Sequence, residues 1–183
     1  MTPQRHRDSF HFPDLRVPSN DRGALGDLVE TSRANERLTK IRIDLGTSDS
    51  SIEGESFWAE PFGGQLYRLR NTPFYAFDLH FGDIVRAIQK SPGQMPTIRE
   101  VVERSGHKTL RVIFTDQASE PETARILVEL NDRATNHERA QGRLYALDVR
   151  PEADYQAVCD YLWNLEQRGL LHYETGTTLS ARN

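Results

Sequence analysis

The chain has 183 residues, enough to bury a sizeable core in one domain or in two small ones that share an interface. Hydrophobic residues make up 37% and charged residues 27%, and no apolar run approaches the ~20 residues of a transmembrane helix. The N-terminus also lacks the basic-then-apolar pattern of a signal peptide, so the expected setting is the cytoplasm and no membrane is implied. A net charge of −4, from 23 Lys+Arg against 27 Asp+Glu, weighs against nonspecific binding along nucleic acid, while the single Cys159 excludes an intramolecular disulfide or a multi-cysteine zinc site.

Residues 1–39 mix Arg and acidic residues with Pro3, Pro13, Pro18, Gly23 and Gly26, and offer only Leu25, Leu28 and Val29 at helical spacing. They are read as a mobile N-terminal arm. The first strand runs from Lys40 to Leu45, where Ile41, Ile43 and Leu45 alternate with Lys40, Arg42 and Asp44, and a Ser- and Asp-rich loop follows. Short strands are then expected at 56–60, 65–70, 83–89, 97–103 and 109–115, broken by Gly and Pro, which is the pattern of a small antiparallel barrel or sandwich. Within Asn71 to Gly82, the aromatic residues Phe74, Tyr75, Phe77 and Phe81 are expected to plug the barrel end. Trp58 and Trp163 are expected to anchor cores.

After Thr115 the period changes. Ser119-Glu120-Pro121-Glu122 has the form of a capping box, and Thr123, Ile126, Leu127, Leu130 and Ala134 line one helical face. A hairpin follows, with strands at 137–140 and 144–149 around Gln141-Gly142. Pro151 is expected to open a second helix with a stripe of Tyr155, Val158, Leu162 and Leu165, ended by Gly169, before a last strand at 170–174. Counting the strand at 109–115 first, the order β-α-β-β-α-β is that of a ferredoxin-like layer. The expected fold is therefore α+β: a barrel over 40–107 merged with a ferredoxin-like layer over 108–176 through a shared strand, with a flexible tail at 177–183.

Four ordered motifs stand out: Glu55 with Trp58, Asn71 with Pro73-Phe74, Gly82-Asp83 with Val85, and Ser105-Gly106-His107 with Thr109 and Arg111-Val112. In these the chain resembles a bacterial family of short proteins known as a domain of unknown function, marked by Glu-x-x-Trp, Asn-x-Pro-Phe, Gly-Asp-x-Val and Ser-Gly-His-x-Thr-x-Arg-Val. The resemblance covers roughly residues 53–175 and implies a bacterial origin. It supports the fold and carries no activity with it.

The sharpest candidate site is the Ser105-Gly106-His107-Lys108-Thr109 turn with Arg111. Gly106 permits a geometry in which successive N–H groups converge on an anion, and Ser105, His107, Lys108 and Arg111 supply donors. Because Leu110, Val112 and Phe114 share one strand face, Thr109 and Arg111 share the other, where Arg68 and Arg70 are expected to join them if the register allows. His107 with Glu103 or Asp83 would form an acid/base pair. The competing reading is a solvated turn in which Glu103 and Asp83 pair the arginines. It is not a P-loop, since the Walker glycine spacing is missing and no helix follows.

Asp78 to Asp83 holds oxygen and nitrogen ligands at short spacing, but a hydrogen-bonded His80 and a turn-forming Asp83 are preferred to a metal site. No cofactor is implied, and Cys159 inside a helix reads as an inert small hydrophobe. These features point to a non-enzymatic binding or regulatory protein, of the immunity type for example, with a protein partner at exposed Tyr67 and Arg68. The alternatives are a small enzyme or phosphate-ligand binder at the Ser105–Arg111 edge, and an RNA-binding module, which the net charge disfavours.

Overall fold

The computed structural model describes residues 38–46 and 52–178. The arm expected over 1–39 lies almost wholly outside them, as do most of the loop after β1 and residues 179–183 of the tail. Five strands close into a barrel: β1 Thr39–Asp44, β2 Gly54–Gly63, β3 Leu66–Leu69, β4 Ile84–Ile88 and β5 Thr97–Glu103. Each consecutive pair is antiparallel, and an odd number of strands then brings the last alongside the first in the same direction. Closure is accordingly parallel, through Arg42 opposite Thr97 and the Arg42 N–H donated to the Pro96 carbonyl at 2.9 Å.

Strand parity sorts the barrel's side chains. Ile41, Phe57, Ala59, Leu69, Val85, Ala87 and Ile98 fill the interior, and Tyr67 packs against them from β3. Trp58, between the buried Phe57 and Ala59, therefore faces out and is 49% exposed. Trp163, expected in a core like Trp58, is 40% exposed, because Leu162 and Leu165 take the buried side of its helix. Both expectations fail for the same reason: each tryptophan has a neighbour whose parity or helical phase already claims the core.

The second unit is β6 Lys108–Phe114, α1 Glu120–Asn131, β7 Thr135–Arg139, β8 Leu144–Val149, α2 Tyr155–Gln167 and β9 Leu171–Thr175. Its sheet runs β7-β8-β6-β9 with every neighbour antiparallel, the ferredoxin-like order. β6 pairs only with β8 and β9, so the strand expected to be shared belongs to this sheet alone and the barrel closes without it. Leu110, Val112 and Phe114 of β6 meet Ile126, Leu127 and Leu130 of α1 and Val158, Leu162 and Leu165 of α2. Each such fully buried side chain contributes about 1.5–3 kcal/mol.

The helix ends follow local chemistry. Ser119 caps α1, its hydroxyl oxygen accepting from the Glu122 N–H. Pro151 does not open α2. It sits in a turn closed by the Ala153 N–H on the Arg150 carbonyl, and the helix starts four residues later under Asp154, whose side chain accepts from the Ala157 N–H at 3.0 Å. A carboxylate can satisfy a free N–H of the first turn, which a proline ring cannot. Among the described residues no helix is long and apolar enough to cross a membrane.

Candidate functional site

β8 is buried along its whole length. Tyr145, Leu147 and Val149 face the helices. Leu144, Ala146 and Asp148 face the other way, together with Thr109 and Arg111 of β6. This second sheet face is covered by the segment Asn71 to Asp83, which leaves β3, crosses the sheet and returns as β4. Ala76 and Leu79 of the same segment enter the barrel core. The small and aliphatic residues, not the four aromatic ones, thus do the plugging, and Phe77 is 45% exposed.

Asp83, fully buried, organises the crossing from β5 to β6. Its carboxylate accepts from the Ser105 N–H at 2.9 Å, the His80 N–H at 3.1 Å and the Arg104 guanidinium at 3.1 Å. The Ser105 hydroxyl donates to the Phe81 carbonyl at 2.6 Å and accepts from the His107 N–H at 3.2 Å. Gly82 and Gly106 both take positive φ, +78° and +85°, and a Cβ on Gly82 would stand 3.1 Å from that of Ser105. An L side chain is disfavoured at such angles, so both turns call for glycine. The Ser105 and His107 amides that would have formed an anion nest are instead engaged inside the turn.

His107 is oriented by Asp148, neither by Glu103 nor by Asp83. Its Nδ1 donates to Asp148 Oδ1 at 2.6 Å, and its ring lies 5.3 Å from that of Phe81. The His107 side chain is 19% exposed and that of Asp148 4%. Glu103 and Lys108 are exposed on the flanks.

Arg111 is 2% exposed and faces the interior. Its guanidinium donates to the Ala76 carbonyl and to Glu174 at 2.8 Å, and stacks 4.5 Å over Phe77. Thr109, beside it, donates to the Leu79 carbonyl at 3.2 Å, so its oxygen accepts from His80 Nδ1–H at 3.0 Å. Arg68 and Arg70 do not join them, because β3 pairs with β2 and β4 in the barrel. Arg70 pairs with Glu60 at 3.3 Å, and Arg68 lies 5.0 Å over the Phe62 ring.

Two carboxylates hold the covering segment from either side. Glu55 of β2 accepts from the Phe74, Tyr75 and Ala76 N–H groups at 2.6, 3.1 and 2.8 Å. Burial pushes its carboxyl up, against the three amides and Arg111, which favour the charged form. Glu138 of β7 accepts from the Thr72 N–H at 2.5 Å, and burial raises its carboxyl too, helped by the nearby Asp148 and Glu55. Burial lowers His80, with Asp83 opposing. Among the described residues no three His, Cys, Asp or Glu side chains gather as a metal site.

Of the residues expected to form a site, Ser105, Gly106, His107 and Asp83 come together, and Thr109 and Arg111 lie behind them under the covering segment. Asp148, Glu138 and Glu174 were missed. Asp148 had left a signal: it is the single charged residue in the apolar run Leu144 to Val149, where a carboxylate needs a partner.

A concavity of about 290 Å³ opens beside α1, lined by Phe114, Leu127 and Tyr145 with Arg139 and Arg143. It lies at the far end of β6 from His107. Both arginines already have partners: Arg139 donates to the Gly142 carbonyl of its own turn, and Arg143 reaches across to the carbonyls of Thr115 and Ala118 in the connection between β6 and α1.

A family model described as domain of unknown function DUF4265 matches residues 55–173. The chain belongs to this family. The matched span begins at Glu55, the residue that binds three amides of the covering segment, and takes in Asp83, Ser105, His107, Arg111 and Asp148. No curated protein sequence matches the chain. Among solved structures, a hypothetical protein from Neisseria gonorrhoeae is similar, with a TM-score of 0.66 at 15% identity over 76% of this chain and 94% of that one. At that identity the likeness is one of fold.

Proposed function

We propose that this family member is a non-enzymatic binding protein, in which the Ser105–Arg111 region joins the two units and an exposed surface elsewhere meets the partner. The observation that carries this reading is Arg111. The strongest anion-binding group of the motif is turned inward onto Ala76 and Glu174, where it fastens the covering segment. Ser105 likewise spends its hydroxyl on the Phe81 carbonyl. By contrast, large aromatic side chains stand exposed on the barrel, and Trp and Arg are the residue types that anchor interfaces.

A second reading rests on one contact. Asp148 holds His107 by Nδ1, which leaves Nε2 of a partly exposed ring as the acceptor, the arrangement of a general base or, with the ring protonated, of a phosphate-ligand donor. The experiment is affinity capture with the full chain from its native lysate at near-physiological salt. The binding reading expects one protein in stoichiometric amount; recovery of nothing counts against it.

A further inference from the structure

We infer that the outer wall of the barrel formed by β1, β2 and β3 is the docking surface, and that its partner is an acidic protein segment. This rests on the binding reading above and adds the place and the chemistry. Strand parity puts Trp58, Glu60 and Phe62 of β2 outward, next to Lys40 and Arg42 of β1, Arg68 of β3 and Arg70 just past its end. Trp58 and Phe62 are 49% and 52% exposed.

The cations on this wall fall into two groups. Arg42 pairs with Asp44 at 2.7 Å and Arg70 with Glu60 at 3.3 Å. Among the described residues Lys40 and Arg68 have no carboxylate within ion-pair distance; each instead rests 5.0 Å from an exposed ring, Lys40 over Trp58 and Arg68 over Phe62. The wall therefore offers two aromatic anchors, each beside a cation that among the described residues makes no ion pair, on a chain whose net charge is −4. Carboxylates of a partner would supply the missing partners while its apolar groups cover the rings. Single-stranded RNA fits less well. Sandwiching bases needs both ring faces free, and one face of each ring is already taken by a cation.

The test uses the full chain with Trp163→Phe, so that Trp58 is the one tryptophan. Its emission is followed on titration with poly-L-glutamate and with oligouridylate of equal charge, at low salt and at about 0.15 M. The inference expects saturable binding of poly-L-glutamate that weakens with salt. The double variant Lys40→Glu/Arg68→Glu should lose at least about tenfold in affinity with an unchanged melting temperature. Tighter binding of oligouridylate, no binding of poly-L-glutamate, or equal affinity in the double variant would overturn it. So would concentration-dependent self-association abolished by Trp58→Ala, which would make a second copy the occupant. If lysate capture recovers a partner that the double variant holds equally well, this inference fails and the binding reading stands; if capture recovers nothing, the binding reading itself fails.

Discussion

Asp148 holds His107 through a 2.6 Å hydrogen bond at the seam where the chain passes from barrel to sheet. The two residues are 41 positions apart, and the carboxylate is buried in the middle strand of a fully covered run. With Asp83 on Ser105, Arg111 on Ala76, and Glu55 and Glu138 on the covering segment, this bond belongs to a polar latch between two apolar cores. Each member satisfies a group that the seam removes from water, and losing one partner leaves the other unsatisfied.

Arg111 and Glu174 should respond unequally to substitution. The arginine is 2% exposed and its partner 45%, both as side chains. Arg111→Met removes the donor to the covering segment and should cost about 3 kcal/mol in urea unfolding, because buried partners are left uncompensated. Glu174→Ala should cost less, about 1–2 kcal/mol, because Arg111 keeps the Ala76 carbonyl and the nearby Glu55. Equal losses would show that Arg111 is not the inner member of the latch.

Glu138 predicts a pH dependence whose sign can be worked out. Its carboxyl is raised from 4.5 in the folded chain, so the folded state binds the proton more tightly than the unfolded one. The resulting stability is fully present below pH 4.5 and is lost as pH rises through the raised native value. His80 acts oppositely: lowered from 6.5 by burial, its contribution is present above pH 6.5 and is lost as pH falls through the lowered native value. Denaturant titrations at a series of pH values should show the downward slope with rising pH reduced in the Glu138→Gln variant, Glu55 carrying the remainder, while the His80 slope persists. An unchanged slope in that variant would sink the assignment.

Gly82 and Gly106 share a left-handed backbone but not the same surroundings. A Cβ on Gly106 would meet Pro151 at 3.4 Å, ordinary contact, whereas on Gly82 it would meet the Ser105 Cβ at 3.1 Å. Gly106→Ala should therefore cost the backbone term alone, about 1–2 kcal/mol, and Gly82→Ala should cost more. Thermal melts decide the order, and the reverse order would contradict this packing of Ser105 on the Gly82 turn.

Much of this fold is legible in the sequence. The alternation of Ile41 and Ile43, the stripe of Ile126, Leu127 and Leu130, and the Ser119 cap are local signals, and local signals survive folding. The ferredoxin-like layer followed from element order. What could not be read was pairing at a distance. Whether Thr109 lies opposite Asp148 or beside Arg68 depends on which strand β6 takes as neighbour, and no periodicity encodes that choice. The same ambiguity hid the outward direction of Trp58, since Phe57, Trp58 and Ala59 are all apolar and either parity was open. The candidate site was thus found by its turn residues, while the buried carboxylates that complete it were seen only when the sheets were assembled.

The central claim, that the His107 turn is a latch and that binding happens elsewhere, is tested most directly by His107→Ala, with melting temperature and partner capture measured on the same preparation. The account predicts a loss of about 2 kcal/mol, roughly 5 °C, because buried Asp148 is left without its donor. Below the melting transition, capture should be retained. A melting temperature equal to that of the wild type, together with lost capture or lost turnover, would contradict the account and make His107 the functional residue.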